Sequence, residues 1–592
     1  MKSMALCLAT IALLVSSAAS GQEHRARLPQ DEVIYFLLPD RFENGNPNND
    51  RGGLKGDRLR TGFDPAHKGY YHGGDLKGLI KRLDYIQGMG VTAIWLAPIF
   101  KNKPVQGPPG QESAGYHGYW VTDFTQVDPH LGTDADFKAF VDAAHARGMK
   151  VYMDIITNHT ADVIQLAECA GTGQCAYRSV ADYPYQRRGG INGAPINSSF
   201  DGSNFDKLTD PNYAYTVRVP EAEKSVKVPA WLNDPIYYHN RGDSLFRGES
   251  STLGDFVGLD DTFTEHPRVV QGFIDIYGSW IERFGIDGFR IDTARHVNPE
   301  FWQQFVPAIL ERARSRGIPN FHIFGEVAND EFQPGKIAQH TRRDKLPTNL
   351  DFAFKQGALR TIAGTEATEV WRDFFSQDVL YEGGEATALK LPTFIGNHDQ
   401  GRFAYYVRRA FPQATDDEVL DRVILGHVLM FTARGVPTIY YGDEQGFAGD
   451  GGDQDAREDM FPSKVAIYND NRLVGSNVTT ASSNFDPAHP LYRLVGELAA
   501  IRARAPALRL GTTVFRAGSD APGLLAFSRL HDGREVLVVL NTSTQPLTQN
   551  VAVEVTSEKF SALAGQCPTE AAAPGSVRIA LAPLGYAVCA AQ

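Results

Sequence analysis

The stretch GFRIDTARH, Gly288 to His296, decides how this chain is read. Just upstream, Phe284, Gly285 and Ile286 close an apolar segment, and Phe289 and Ile291 then alternate with Arg290 and Asp292. That alternation suits a short buried strand whose end presents polar groups to a site. Residues two apart on a strand share a face, so Arg290 and Asp292 lie side by side. A guanidinium beside a carboxylate favours the ionised form that a nucleophile needs. Taken alone, the pattern fits a structural ion pair at a strand end equally well. Other stretches share the design. HIFGEV (His322 to Val327) and LPTFIGNHD (Leu391 to Asp399) run apolar and end in Glu326 and Asp399, and DIITNH (Asp154 to His159) places an Asp, an Asn and a His at another strand end.

Working outward, VIYFLLPDRF (Val33 to Phe42) reads as a buried strand running into a turn, and apolar strands then alternate with amphipathic helices. Alternation of this kind builds a parallel sheet from βα units. The further strands are expected at Val91–Ile99, Lys150–Ile156, Gly288–Thr293, Phe321–Val327, Asn349–Phe354, Leu391–Gly396 and Val436–Tyr441. Eight such units point to a closed barrel. Phe137, Phe140, Val141 and Ala144 recur at helical spacing before Gly148 and belong to a scaffold helix. Two stretches break the pattern. From Thr160 to about His266 the chain is rich in Gly, Asn, Tyr and Pro and has no clean βα unit, and Gly446 to His489 is too long for a simple connection, which marks it as a functional loop. A helix at Leu491–Ala503 closes the barrel. From Leu508 on, LLAFSRL, REVLVVLN, VAVEV and YAVCA are short alternating strands with Gly and Pro turns, an all-β sandwich. No internal repeat or low-complexity tract appears.

A chain of 592 residues, 42% hydrophobic and 22% charged, can bury large cores and holds two or three domains of ordinary globular composition. A net charge of −12 without a dense Lys/Arg run argues against a nucleic-acid partner. Met1 to Ser20 has Lys2, an apolar run through Leu6 and Ile11 to Val15, then small residues. This is the design of a secretory signal peptide cut near Ala19 to Gly21, with Cys7 inside it. A membrane anchor is the weaker reading, since the run is short and no other stretch reaches about 18 apolar residues. Past the signal remain Cys169, Cys175, Cys567 and Cys589, two local pairs that fit two disulfides in an oxidising compartment. Free thiols are the alternative; the spacing does not suit zinc.

In this order, DIITNH, GFRIDTARH, FGEV and IGNHD resemble the four signature blocks of the α-amylase family of glycoside hydrolases, and GVTAIWLAPI (Gly90 to Ile99) and GVPTIYYGDE (Gly435 to Glu444) resemble two more. The resemblance runs from about Val33 to the C-terminus. It implies a (β/α)8 barrel over 21–159 and 267–505, a subdomain inserted after strand three over 160–266, and a C-terminal β-sandwich domain over 506–592, behind the signal peptide of 1–20.

Barrel enzymes carry their catalytic groups at the C-terminal ends of strands, where Asp154, Asp292, Glu326 and Asp399 fall. The resemblance assigns Asp292 as nucleophile, Glu326 as acid/base and Asp399 as the carboxylate that holds ring hydroxyls and favours the distorted, cationic transition state. Arg290 is expected to keep Asp292 ionised, while crowding by carboxylates favours a protonated start for the acid. The alternative is carboxylates that merely cap helices. By resemblance His159 and His398 hydrogen-bond the sugar at the cleaved bond, and in GYHGYW Tyr119, with His117 beside it, stacks on that sugar's apolar C–H face. Asp453 and Arg457 in GGDQDARED resemble a pair that grips glucose units further along the donor side.

DRFENGNPNND supplies Asn44, Asn46, Asn49 and Asp50 on a tight loop whose oxygen ligands suit Ca²⁺. It resembles a calcium loop of bacterial amylases and cyclodextrin glycosyltransferases completed by a later GGD, here Gly73 to Asp75; an Asn-rich turn is the alternative. A second family calcium site would use Asn158 and the His296 carbonyl. Its aspartate is expected near Leu259, with Asp260 or Asp255 as substitutes. The implied function is retaining endo-hydrolysis of α-1,4-glucosidic bonds in starch and maltooligosaccharides by a secreted monomer, periplasmic or extracellular. The alternatives are a cyclodextrin-directed relative (glucanotransferase, cyclomaltodextrinase or neopullulanase-like) and, more remotely, a non-catalytic glycan-binding module. The lack of a large domain before the first strand, and of starch-binding domains at the end, is expected to disfavour the cyclodextrin readings.

Overall fold

The computed structural model describes residues 23–169 and 174–592; the segment Met1–Ser20, with Cys7, lies outside them. Eight parallel strands form one sheet: β1 (Ile34–Leu37), β2 (Ala93–Leu96), β3 (Lys150–Ile155), β4 (Gly288–Ile291), β5 (His322–Gly325), β6 (Thr348–Asn349), β7 (Pro392–Thr393) and β8 (Val436–Tyr440). The hydrogen-bonded order runs β6-β5-β4-β3-β2-β1-β8-β7. The amide of Asp351 then reaches the carbonyl of Pro392 at 2.9 Å and joins the two ends. The result is the closed (β/α)8 arrangement. Every residue of β1 to β5 is buried, which is why β1 and β2 read as continuous apolar runs, while the alternation in β4 sets the buried Arg290 among apolar neighbours.

The helices outside the sheet follow their sequence signals. Helix Asp134–Ala146 starts at Thr133, whose hydroxyl accepts from the Asp136 amide while Asp136 reaches back, a capping box. It buries the expected Phe137, Phe140, Val141 and Ala144. Helix Pro267–Phe284 begins with proline and stops at Gly285, whose φ of 69° is the left-handed value glycine adopts freely. Between Thr160 and His266 the described residues form two-residue ladders, 3-10 turns and one short α-helix, Ser250–Leu253, around a small core of their own that includes Leu166, Phe200, Tyr213 and Phe263. Cys169 is bonded to Cys175 in this stretch, and Cys567 to Cys589 near the C-terminus.

Two expected strands shrink to two-residue pieces of the sheet. Of Asn349–Phe354, only Asn349 is strand: Asp351 caps a helix, Phe352–Thr361, by accepting from the Phe354 amide, so the aromatic run is helical. Leu391–Gly396 contributes only Pro392–Thr393 to the sheet. Among the C-terminal strands, Thr512–Ala517, Leu524–His531, Arg534–Asn541, Phe560–Gly565 and Tyr586–Ala591 form one antiparallel sheet, and Leu547–Ala552 pairs with Ser576–Leu581 in another. Leu524, Ala526, Leu537 and Val539 face the core between these sheets, whereas Leu525, Phe527, Val536 and Val538 belong to the barrel core. Period two thus splits each strand between two cores.

Candidate active site

The site starts at β4. Past its end, the amide of Asp292 donates to the Ile155 carbonyl at 2.9 Å, and that of Glu326 to the Ile291 carbonyl at 2.8 Å. Strand-to-strand bonding therefore continues to the two acids and fixes both at the C-terminal rim. Arg290, buried within the barrel, donates through Nη1 to both oxygens of Asp154 (2.8 and 2.9 Å) and to Asp292 Oδ1 (2.9 Å), and its Nη2 lies 2.9 Å from Glu326 Oε2. Thr293 ties the same pair together: its amide donates to Glu326 Oε2 at 3.0 Å and its hydroxyl to Asp292 Oδ2 at 3.1 Å. It does so at φ 48°, a left-handed conformation. That costs a β-branched residue about 1 kcal/mol or more and persists only where surrounding structure imposes it.

The electrostatics differ from the simple expectation that Arg290 keeps Asp292 ionised. Burial pushes Asp292 well above the usual carboxylate range; Arg290 opposes this, but Glu326, Asp154 and Asp399 add to the rise. Burial likewise pushes Asp154 up to about 7 against Arg290. One guanidinium serves three carboxylates, so its attraction is divided, and burial outweighs it at Asp292 and Asp154.

Around this centre lies a cleft of about 1100 Å³, lined by Asp292, Glu326, Asp399, His117, Tyr119, His159, Asp453 and Arg457 among others. Arg290 and Asp154 stand behind its wall, with Asp154 held by Trp95 Nε1 at 3.2 Å and by the Tyr119 hydroxyl at 3.1 Å. The same hydroxyl is 2.8 Å from His398 Nε2. Burial lowers both His398 and His159, the latter to about 3, so both rings are neutral. His159 Nε2 and His398 Nδ1 are buried without a partner among the described residues. His117 accepts from the Tyr119 amide through Nδ1 at 3.1 Å and lies parallel to that ring. Asp399 is bound by Arg457 Nη2 at 3.1 Å, and Arg457 also pairs with Asp453 at 2.5 Å. The long loop after β8 therefore reaches the cleft.

In the Asn-rich loop, Asn44 Nδ2 donates to Asp50 Oδ1 at 2.9 Å, and Asn49 Oδ1 is buried without a partner among the described residues. Burial pushes Asp50 up to about 6, and Asp40 and Asp75 add to the rise. A Cβ on Gly73 would come within 2.8 Å of Asp50 Oδ1, so only glycine lets the backbone approach there. An orphaned oxygen beside a poorly compensated carboxylate fits a hard cation. Asp75 has another duty: it accepts from the Gly78 amide at 2.7 Å as a helix N-cap and from the Asn46 amide at 2.7 Å. At the other candidate site, Asn158 and His296 are both buried. Asp260 is occupied by Lys227 (2.5 Å) and the amides of Val163 and Ile164. Asp255 is half-buried, its side chain accepts from the Asp261 amide at 3.2 Å, and desolvation and the acidic Asp261 and Asp260 push it well upward.

Sequence reasoning did not single out Trp95, Thr293, Phe256 or Val257. Trp95 sits inside a quoted block, and Thr293 directly follows Asp292. Phe256, whose ring lies parallel to His159, and the 77% exposed Val257 come from the inserted stretch, where no periodicity marks them.

Comparison with known proteins bears on the whole chain. The family model described as "Alpha amylase, catalytic domain" matches residues 36–472, and "Maltogenic Amylase, C-terminal domain" matches 516–588. The chain is 45% identical to an α-amylase of Streptomyces lividans over 521 residues, covering 87% of this chain and 56% of the relative. It is 27% identical to a cyclomaltodextrin glucanotransferase of Geobacillus stearothermophilus, over 84% of this chain and 58% of that one. It thus spans little more than half the length of these curated relatives. An Anoxybacillus α-amylase structure superposes with a TM-score of 0.68 at 27% identity, covering 95% of this chain and 98% of the other. CldA, described as a cyclomaltodextrin glucanotransferase with a three-domain ABC distribution, gives 0.70 at 27% identity, covering 94% and 99%.

Proposed function

The chain belongs to the α-amylase family of glycoside hydrolases, and from that premise we propose that it hydrolyses internal α-1,4-glucosidic bonds of starch-type glucans with retention of configuration. The observation that carries the reading is the sharing of one guanidinium by Asp292 and Glu326, each at 2.9 Å, at the ends of adjacent strands and on one cleft. Retaining hydrolysis needs two carboxyls close together, one to attack C1 and one to protonate the leaving oxygen. In this reading Asp292 attacks while Glu326 gives its proton to the departing glucan, and Glu326 then takes a proton from the water that releases the sugar. Asp399, bracketed by Arg457 and His398, binds ring hydroxyls. His159 and His398 use their unpartnered nitrogens in the same way, and Tyr119 packs on the sugar face.

The division into signal (1–20), barrel (21–159 and 267–505), inserted subdomain (160–266) and C-terminal domain (506–592) is part of this proposal, supported by the separate core of the inserted stretch. So is secretion to a periplasm or the exterior; among the described residues no helix is long and apolar enough to cross a membrane. Calcium would be held by Asn44, Asn46, Asn49, Asp50 and the backbone of Gly73, with Asp75 bracing the loop. It would supply charge to neutralise Asp50 and fix the β1–helix connection. At Asn158 and His296, Asp255 is the better acidic partner, because Asp260 already has Lys227.

Conversion of Asp292→Asn should leave glucan binding intact and lower kcat on the order of 10⁴-fold or more. Activity near the wild-type level would refute Asp292 as nucleophile. Proton NMR of the first product should show the α anomer. The second reading, cyclodextrin formation or opening, is favoured by a specific likeness: CldA, a cyclomaltodextrin glucanotransferase with a three-domain ABC distribution, superposes over 94% of this chain and 99% of its own. Chromatography of starch digests for cyclic products separates the two.

A further inference from the structure

At the opposite end of the barrel from the cleft, three side chains meet that the hydrolytic reading does not use. His24, on the short helix Glu23–Ala26, is 2% exposed, and neither ring nitrogen has a partner among the described residues. Its ring stacks on that of His145, from the last turn of helix Asp134–Ala146, with centroids 4.4 Å apart. Asp287, fully buried just before β4, accepts through Oδ2 from the Val151 amide at 3.0 Å and lies 2.7 Å from His145 Nε2. Its Oδ1 has no hydrogen bond among the described residues and stands 3.9 Å from His24 Nε2.

We infer that His24, His145 and Asp287 form a binding site for a borderline divalent transition metal of the zinc class, closing the floor of the barrel. Two imidazoles and a carboxylate are a donor set for such ions rather than for calcium, which prefers oxygen. Ligands about 2.0–2.1 Å from a tetrahedral metal lie about 3.3 Å apart. The separations of 3.9 and 2.7 Å fall on either side of that value, and the three donor atoms all lie within 4.8 Å of one another. Small side-chain movements therefore complete the geometry, and the ion would satisfy a buried imidazole and a buried carboxylate oxygen at once. Burial, outweighing Asp287, lowers His24 to about 4. Arg25, whose Nε lies 3.8 Å from Asp287 Oδ1, closes one side and its charge moderates the affinity. The half-buried His145 leaves the entry path. Because the three residues come from the amino-terminal helix, a barrel helix and the start of β4, a bound ion would fasten the beginning of the folded chain to the barrel.

The test uses the full-length protein, stripped with a chelator and returned to excess calcium so that the oxygen-rich loop does not respond. Cobalt(II) should then give the visible absorption of a four-coordinate site. Zinc at about 100 times its Kd should raise Tm by about 2 °C. Both responses should vanish in His24→Gln and in His145→Gln, with glucan hydrolysis unchanged. If His24→Gln fails to fold, His145→Gln decides alone, since its position tolerates solvent. No cobalt band in the wild-type protein, or a band that persists undiminished in the folded variants, overturns the assignment.

Discussion

Arg290 holds three carboxylates with one fork, and the geometry of that fork matters more than its charge. Nη1 serves Asp154 and Asp292 while Nη2 serves Glu326, so Asp292 and Glu326 are spaced by a rigid planar group. Arg290→Lys keeps the cation and loses the fork. It should lower kcat on the order of 10²-fold or more with a smaller change in KM, because misplacement by about an ångström is that costly; steady-state kinetics on a maltooligosaccharide would show it, and a near-normal kcat would mean that charge alone suffices. His239 presents the opposite balance. It is buried between Asp261 (2.6 Å) and Glu265 (2.8 Å), and although burial pulls it down, Glu265 and Asp261 push it up to about 9. The folded value exceeds the free value of 6.5, so the protonated ring stabilises the native state fully below about pH 6.5 and that contribution fades as pH rises towards 9, a span worth on the order of 3 kcal/mol. Thermal unfolding from pH 6.5 to 9 should fall more steeply for the wild type than for His239→Gln. Parallel curves would remove His239 from the account.

At the scale of elements, the strand ends and helix starts do the positioning. Asp75 joins both kinds: one oxygen caps helix Leu76–Gly88, and the other holds the amides of Gly45 and Asn46. Asp75→Ala should therefore cost more than the roughly 1 kcal/mol of an ordinary cap, and under the proposed calcium reading of this loop it should shrink any difference in melting with and without chelator. Melting curves with and without chelator check this; a variant as calcium-responsive as the wild type would leave Asp75 as a cap alone. In the inserted stretch Val257 is 77% exposed at φ 54°, a conformation costly for a β-branched residue. Val257→Gly should raise stability by about 1 kcal/mol if the strain is not redistributed. These elements also show what the residues could reveal in advance. Arg290 and Asp292 were legible because period two and apolar flanks set them side by side at a strand end and other stretches share the design, and most of the eight strands followed from buried apolar runs. Leu350–Phe354 misled because a short apolar run does not distinguish strand from helix; the Asp351 cap decided it. Trp95 and Thr293 were hidden because their roles depend on partners far away in the chain or on a strained backbone angle. Phe256 and Val257 were hidden because irregular chain carries no period.

The whole molecule is joined along the sheet that both cores share. Leu524–His531 and Arg534–Asn541 turn one set of side chains to the sandwich core and the alternate set to the barrel core, so neither unit is closed without the other. Polar groups lock the same seam: Arg529, fully buried, donates to the Thr432 carbonyl at 3.2 Å and the Gly511 carbonyl at 2.7 Å. The buried Arg502 reaches the carbonyls of Phe431 and Leu508 on one side and of Gln30 on the other. Chains of several domains commonly unfold in steps, but separation here would expose Phe527 against Phe375 and strand two buried arginines. Barrel and C-terminal domain should accordingly melt in one calorimetric transition. Phe527→Ala at the seam, costing about 3–5 kcal/mol, and Val577→Ala, inside the sandwich and less costly, should both lower that same transition. A wild-type profile with two resolved peaks, of which Val577→Ala moves only one, would show that the seam is a contact between independent domains.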